Sequence, residues 1–454
     1  MTSSHVRRAV GAGLTALAAG LAGVLATPPA VAAVRVTPGD FTGYAFDARC
    51  APTQQQMDAW LTSSPFWGAG IYIGGSMQGC SEADQQHLDA TWVRRQTDRG
   101  WRLLPIWVGK QAPCYDPAST GTTTGTDPGS STPPDTIDAD PADGYAAAAK
   151  QGRAEARLAV AAAQALGVAT ASTVWYDLEA FDVSQTDCRR PALSFLSGWT
   201  TQVRKLGFRS GVYSSVSSGI HALDNADNLS PGSYVMPDQV WYAWDNGRAD
   251  VAIDAKWVRT ASWSGARVHQ YDLDVPAAYG GVELQIDRSF MSVGRGSVAP
   301  KPPSTCGVSI DFADYRTLKQ GSTGGQVKAL QCLLEQQRRY DGRVDGRFDR
   351  DVARAVRSFQ SSRGLPVTGK VNARTWTVLL ARGSSPVLKR GSASNDVRRL
   401  QRTLNVATAA DLRVRGVLDA KTSRWVSAYQ SAVGLPATGV VESGTWAALH
   451  TGRR

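Results

Sequence analysis

The last third of this 454-residue chain contains one folding unit twice. Leu318-Lys319-Gln320-Gly321-Ser322 recurs as Leu388-Lys389-Arg390-Gly391-Ser392, and the same 70-residue offset carries Leu330-Gln331 onto Leu400-Gln401. It also carries Phe359-Gln360 onto Tyr429-Gln430, Gly364-Leu365-Pro366 onto Gly434-Leu435-Pro436, and Thr375-Trp376 onto Thr445-Trp446, without a gap. An ungapped repeat of this length is a duplicated structural unit. Inside the first copy, apolar residues recur three and four apart: Val327, Leu330, Leu333, Leu334; then Val352, Ala355, Val356, Phe359; then Trp376, Leu379, Leu380. That spacing lines one helix face. Gly364-Leu365-Pro366 and Gly369 break the chain between the second and third stretches. Each copy is therefore expected to be a small three-helix bundle.

The ordered pattern Leu-x-x-Gly-Ser, Leu-Gln, Asp-Gly-x-Phe-Asp, Phe-Gln-x-x-x-Gly-Leu-Pro and Thr-Trp resembles the three-helix peptidoglycan-binding domain of bacterial wall hydrolases. The second copy departs at Arg415, where the first has Asp345. The resemblance implies peptidoglycan, or a related anionic wall polymer, as partner. Charge agrees. From residue 315 onward there are 25 Lys and Arg against 9 Asp and Glu, although the whole chain carries only +10. A cationic tail on an acidic remainder calls for an anionic partner.

Nucleic acid and wall polymer satisfy that charge equally, and the N-terminus chooses between them. Arg7-Arg8 begins a positive region, residues 10–25 are apolar and small, and Ala30-Val31-Ala32-Ala33 is a small-residue cleavage site. These are the parts of a secretory signal peptide, cleaved near Ala32 or Ala33. An exported chain without base-reading motifs is not expected to bind nucleic acid. No later stretch approaches the ~18 apolar residues of a membrane span, so no stable span is expected after signal cleavage.

Six cysteines, Cys50, Cys80, Cys114, Cys188, Cys306 and Cys332, lie beyond the signal. An even count outside the cell reads as disulfides, with 15 possible connectivities for six cysteines. The expected pairing is Cys50–Cys80, Cys114–Cys188 and Cys306–Cys332, each tying neighbouring segments. With no Cys-x-x-Cys and no His-Glu-x-x-His, neither a metal site nor a cofactor is expected, and a zinc amidase or protease is disfavoured.

Between the signal and the repeats, short apolar runs read as strands over 43–47, 69–74, 102–108, 173–178, 209–214, 239–244, 267–272 and 282–287. Helical stretches cover 82–99, 145–166 and 191–206. Eight strands alternating with helices predict an α/β fold, a (β/α)₈ TIM-barrel-like domain. The expected organisation is a signal peptide over 1–33, the barrel over 40–293, a semi-rigid Pro-rich linker over 294–311, and all-α three-helix units over 312–382 and 384–450. Residues 114–143 form a polar loop rich in Thr, Gly, Ser and Pro.

A barrel of this type places chemistry at the C-terminal ends of its strands. Asp47 ends the first predicted strand, and Asp177 and Glu179 the fourth, on one face by the i, i+2 rule. Trp241, Trp244 and Asp245 end the sixth, Gln270 the seventh and Asp287 the eighth. Paired carboxylates on one rim suit glycosidic cleavage: one protonates the leaving oxygen while the other attacks or stabilises the sugar cation. Mutual repulsion keeps one of them protonated near neutral pH. Tyr72, Trp107, Tyr213, Trp241 and Trp244 are candidates for stacking on sugar rings, while His269 reads as a packed histidine.

Phe46-Asp47, Tyr176-Asp177-Leu178-Glu179, Trp241-x-x-Trp244-Asp245, His269-Gln270-Tyr271 and Asp287-x-x-Phe290 resemble the ordered motifs of family 25 lysozyme-type glycoside hydrolases. With the flanks at residues 70–75 and 210–215, they are closer still to a glycoside-hydrolase-like domain of unknown function (family 1906) of secreted actinobacterial proteins. The resemblance implies Glu179 as general acid and Asp47, Asp177 and Asp287 as companion acids. Asp47-Ala48-Arg49 stands where the lysozymes have Asp-Val-Ser. Two functions follow as expectations: an exported N-acetylmuramidase-type hydrolase of wall glycan, or a non-catalytic wall protein whose barrel binds glycan.

Overall fold

The computed structural model describes residues 35–81, 83–116 and 135–454. The expected signal peptide, and residues 117–134 of the polar loop, lie outside the described residues.

Eight strands close into a barrel in sequence order: β1 (Phe41–Asp47), β2 (Phe66–Gly74), β3 (Arg102–Trp107), β4 (Thr173–Asp177), β5 (Arg209–Ser215), β6 (Gln239–Ala243), β7 (Ala266–Tyr279) and β8 (Val282–Val293). Helices follow each of the first five: α1 (Gln54–Ser63), α2 (Ala90–Asp98), α3 (Ala146–Ala165), α4 (Thr186–Lys205) and α5 (Gly219–Leu229). The helix expected over 82–99 is confined to α2, because the Asp89 carboxylate accepts the Trp92 N–H and starts the helix there.

The α/β barrel is as expected, with one strand reversed. β1 to β7 pair in parallel, whereas β8 runs antiparallel to both β7 and β1. The cause is local. Gly280 and Gly281, at φ +60 and +77, make a two-residue turn that joins β7 to β8 as a hairpin. A parallel return needs a dozen or more residues of crossover. The placement of Asp287 at the C-terminal end of a strand is thereby corrected: it lies inside β8, opposite Asp47 of β1.

Trp175 and Trp241 fill the barrel interior edge to face, ring centroids 5.7 Å apart. Neighbouring strands make room with glycine. A Cβ on Gly211 would stand 2.4 Å from the Trp175 ring, and one on Gly70 would stand 2.6 Å from Asp47 Cβ. Large indoles facing glycines are thus what lets this barrel close over a packed core.

The two repeats form bundles of α6 (Gly325–Gln336), α7 (Arg350–Ser362) and α8 (Ala373–Ala381), then α9 (Asn395–Thr408), α10 (Ala420–Ala432) and α11 (Ser443–His450). Trp376 and Trp446 are fully buried, and their indole N–H groups donate to Arg316 O at 2.9 Å and Pro386 O at 2.8 Å. The repeated glutamines are internal braces. Gln331 and Gln401 accept from Gly346 N and Gly416 N, and Gln360 and Gln430 from Gly369 N and Gly439 N, at 2.8–2.9 Å. The motif glutamines therefore hold loops rather than face a ligand.

The copies differ in how they meet the barrel. Lys389 of the second copy is 1% exposed, and its Nζ donates to Leu61 O at 2.9 Å and Ser64 O at 3.2 Å. It lies over the rings of Trp67 and Trp101 at 4.4 and 4.9 Å, and burial pulls its pKa well below the ordinary 10.5. Two carbonyls and two indole faces offset part of that desolvation. Arg390 adds a bond to Tyr44 Oη at 2.7 Å and lies 4.5 Å from the Phe290 ring centre. These contacts sit where β1 and β2 begin, the end of the barrel away from Asp47 and Asp177. Lys319, the counterpart in the first copy, is exposed. The second copy thus packs directly on the barrel base.

The cysteines form Cys50–Cys80, Cys114–Cys188 and Cys306–Cys332. The first ties the loops that leave β1 and β2, the second ties the loop that leaves β3 to the first turn of α4, and the third joins the segment before the first repeat to α6. Among the described residues, no helix is long and apolar enough to cross a membrane.

Candidate active site

Four carboxyls converge at the C-terminal end of the parallel strands. Asp47 ends β1, Asp177 ends β4, Glu179 follows two residues later, and Asp287 reaches the same rim from within β8. Asp47, Asp177 and Glu179 are 3%, 2% and 4% exposed. Burial raises Asp177 well above the ordinary carboxylate value, and the neighbouring charges of Glu179, Asp47 and Asp287 add to it. Asp177 and Glu179 thus stand side by side as buried carboxyls, two residues apart at the end of β4. Burial also raises Asp47, with Asp287 as second cause, and brings Asp287 to about 6 against the pull of the Asp274 N–H.

The polar frame around these acids is specific. Gln270 Nε2 donates to Asp47 Oδ2 at 3.2 Å and Asp287 Oδ2 at 3.0 Å, while Tyr213 Oη donates to Gln270 Oε1 at 2.8 Å. On the opposite side, Gln111 Nε2 donates to Asp177 O at 3.0 Å, and Gln111 Oε1 accepts from Glu179 N at 2.8 Å. One buried amide thus clamps both ends of the turn that carries Asp177 and Glu179.

A cleft of about 400 Å³ opens beside Glu179, lined by Tyr213, Ser217, Trp244, Asp245 and Trp257 among others. Trp244 is half-buried and Asp245 exposed, so both present surface to the cleft. Tyr72 lies close enough for Asp47 and Asp177 to raise its hydroxyl, after burial. Trp241 lies beneath the rim with its Nε1–H on Ser289 Oγ at 3.1 Å, a floor residue rather than a stacking platform.

Trp107 is placed elsewhere. Successive strand residues face opposite sides, and its neighbour Ile106 takes the interior position. The Trp107 Nε1–H donates to Glu155 of α3 at 2.6 Å, so the indole belongs to the layer between sheet and helices, not to the cleft. His269 is packed as expected, its ring nitrogens 2.8 and 2.9 Å from Asp250 O and Trp244 O.

Gln111 and Trp257 were not foreseen. Gln111 stands in no strand-end acidic motif, and Trp257 lies in a turn-rich connection; only the folded chain brings either to the rim. Among the described residues, no group of three or more His, Cys, Asp or Glu side chains is arranged to hold a metal ion.

A closed barrel with buried acids clustered at one rim defines the molecule as glycoside-hydrolase-like. The chain belongs to the family described as Rv2525c-like, glycoside hydrolase-like domain, which it matches over residues 58–291, just over half its length. Residues 323–379 and 393–449 each match the peptidoglycan binding domain family. The protein therefore combines a glycoside-hydrolase-like barrel with two segments that match the peptidoglycan binding domain family.

Solved structures with likeness to the chain include an uncharacterized B. stearothermophilus protein: 17% identity, TM-score 0.35, covering 54% of this chain and 94% of that one. A family 25 glycosyl hydrolase from Bacillus anthracis is 10% identical, with TM-score 0.31, covering 56% and 90%. The SleB N-terminal domain is 37% identical over 14% of this chain and 89% of its own, with TM-score 0.14. No curated protein matches the chain.

Proposed function

We propose that this is an exported, wall-associated enzyme that hydrolyses a wall glycan by carboxylate acid/base catalysis, of the N-acetylmuramidase type. The observation that carries the reading is the pair of buried carboxyls, Asp177 at the end of β4 and Glu179 two residues on, with Glu179 bordering the cleft. Glycosidic cleavage needs one protonated and one ionised carboxyl beside the scissile oxygen. Glu179, which borders the cleft, donates the proton to the leaving oxygen. Asp177, deeper in the barrel, acts as nucleophile or as electrostatic partner of the sugar cation. Asp47 and Asp287, bridged by Gln270, complete the acid cluster behind this pair. Trp244 and Trp257 border the cleft where a pyranose face would stack.

The test is release of soluble fragments from purified peptidoglycan by the parent and by Glu179→Gln, read by mass spectrometry. New reducing-end sugars from the parent, with the variant slower by roughly 10²–10⁴ as for loss of a general acid, are expected. The terminal sugar names the bond. No fragments from either, with both still bound to sacculi, would make the acid cluster a glycan-binding site.

A further inference from the structure

The cleft beside Glu179 is bordered by two acids, Glu179 and Asp245, and by one base. Lys256 is the only basic side chain among the described residues that line it. Lys256 stands in the connection between β6 and β7, in a turn that Asp254 shapes. Asp254 Oδ1 accepts from Lys256 N at 2.9 Å, and Asp254 O accepts from Trp257 N at 2.9 Å. The Lys256 ammonium lies 5.1 Å from the centre of the Trp257 ring. That indole is itself held by α5. His221 meets it edge to face, ring centres 5.8 Å apart, and His221 Nδ1 hydrogen-bonds to Trp257 O. Asn225 Nδ2 donates to the other ring nitrogen of His221 at 2.8 Å. The lysine thus rests on an anchored aromatic wall of the cleft.

The fold makes little use of this cation. Its acid neighbour is Asp254 at 3.6 Å, with the two side chains 61% and 39% exposed. An exposed pair of that kind contributes little, and the Asp254 carboxylate already serves the turn. The surroundings are otherwise acidic: Asp47, Asp177, Glu179 and Asp287 converge on the rim, and Asp245 borders the cleft. Such a field repels an anionic ligand and leaves a neutral one unaffected. A neutral glycan therefore needs only the aromatic walls and the acids, whereas a carboxylated glycan needs a cation in the same cleft. Glu179 and Lys256 line one cleft of about 400 Å³, the size of a small-ligand pocket, so a short stretch of glycan meets both.

We propose that Lys256, seated on Trp257, is a specificity-determining residue that takes the carboxylate of an acidic amino sugar, an N-acylated hexosamine carrying its carboxyl group on an ether-linked side chain. The lysine ammonium is a compact charge on a flexible stem, suited to one carboxylate, and charge-assisted hydrogen bonds are the stronger kind. The inference deepens the hydrolase reading by naming the charged group on the substrate. It rests on the cleft taking wall glycan, not on its cutting that glycan.

The experiment uses the full mature chain with Glu179→Gln, which keeps the glycan intact during titration, alone and combined with Lys256→Met or with Lys205→Met. Lys205 is an exposed lysine at the end of α4 and serves as the charge-matched control. The probes are a peptide-free tetrasaccharide of alternating N-acetylglucosamine and N-acetylmuramic acid, and the same tetrasaccharide with its carboxyls reduced to alcohols. Calorimetry is expected to show Glu179→Gln binding the carboxylated sugar roughly tenfold more tightly than the reduced one, as for one charge-assisted contact. Lys256→Met should abolish that preference while binding the reduced sugar as before. Lys205→Met should retain it, and added salt should shrink it. No preference before the lysine is changed, a preference that survives Lys256→Met, equal weakening of both sugars, or binding of neither would each overturn the assignment. Thermal unfolding of Lys256→Met should be unchanged, as expected of an exposed position, which separates lost recognition from misfolding. Fragment release from peptidoglycan by the parent decides hydrolysis separately. A preference without fragments keeps the role of Lys256 and fails the hydrolase reading, and fragments without a preference do the reverse.

Discussion

Asp47 and Asp287 are register partners across the antiparallel β1–β8 pair, and a single amide nitrogen, Gln270 Nε2, donates to both carboxyls. Tyr213 fixes which end of that amide faces them, since its hydroxyl donates to Oε1. Two acids held this closely cannot both ionise without cost. The reversed strand is what creates the pair: a parallel β8 with the same residues would present a different register to β1.

The pair should make stability fall as pH rises through the mildly acidic range. Burial raises Asp287 from the ordinary 3.8 to about 6, and raises Asp47 in the same direction. A raised carboxyl favours the folded state while protonated. Its contribution is complete below the unfolded value and lost as pH passes through the folded one. Thermal unfolding between pH 4 and 7 should show the parent's midpoint dropping relative to that of Asp287→Asn, which has no proton to lose there. A difference that stays flat across this window would mean that Asp287 is ionised throughout.

Gln111→Ala should loosen the turn that carries Asp177 and Glu179. It orphans Asp177 O and Glu179 N, both of which the Gln111 amide satisfies at 3.0 and 2.8 Å. Each buried orphan costs about 1–3 kcal/mol. Denaturant unfolding should reveal that loss, and fragment release should fall more in kcat than in KM because the acids, not the cleft walls, are displaced. Parent-like unfolding would show that the turn holds itself.

Lys389→Ala and Lys319→Ala remove the same residue from the two repeats and should differ sharply. At 389 the substitution strands the carbonyls of Leu61 and Ser64 and uncovers two indole faces. A cost of about 2–4 kcal/mol is expected there. At the exposed position 319 the change should stay within about 0.5 kcal/mol. Equal shifts in a urea titration would mean that the second repeat is not docked on the barrel in solution.

Replacing Cys306 and Cys332 by serine opens a loop with a sequence separation of 26. Chain entropy predicts a loss of about 3–4 kcal/mol. Because this bridge ties the segment before α6 to α6 itself, the loss should appear in unfolding of the repeats and leave fragment release from soluble glycan unchanged. Reduced release would place the bridge's influence in the barrel.

The sequence by itself determined the periodic features: the doubled bundle, the strand and helix alternation, and the placing of Asp177 and Glu179 together on one strand end. Such features depend on spacing along the chain, which local backbone geometry converts directly into faces and turns. Tertiary structure decided the rest. It reversed β8 through two glycines, turned Trp107 outward to Glu155 while Ile106 took the interior, and brought Gln111 and Trp257 to the rim. It also gave Lys319 and Lys389, identical in local sequence pattern, opposite fates. Direction, facing and docking depend on which surface meets which across tens or hundreds of residues, and no local spacing carries that information.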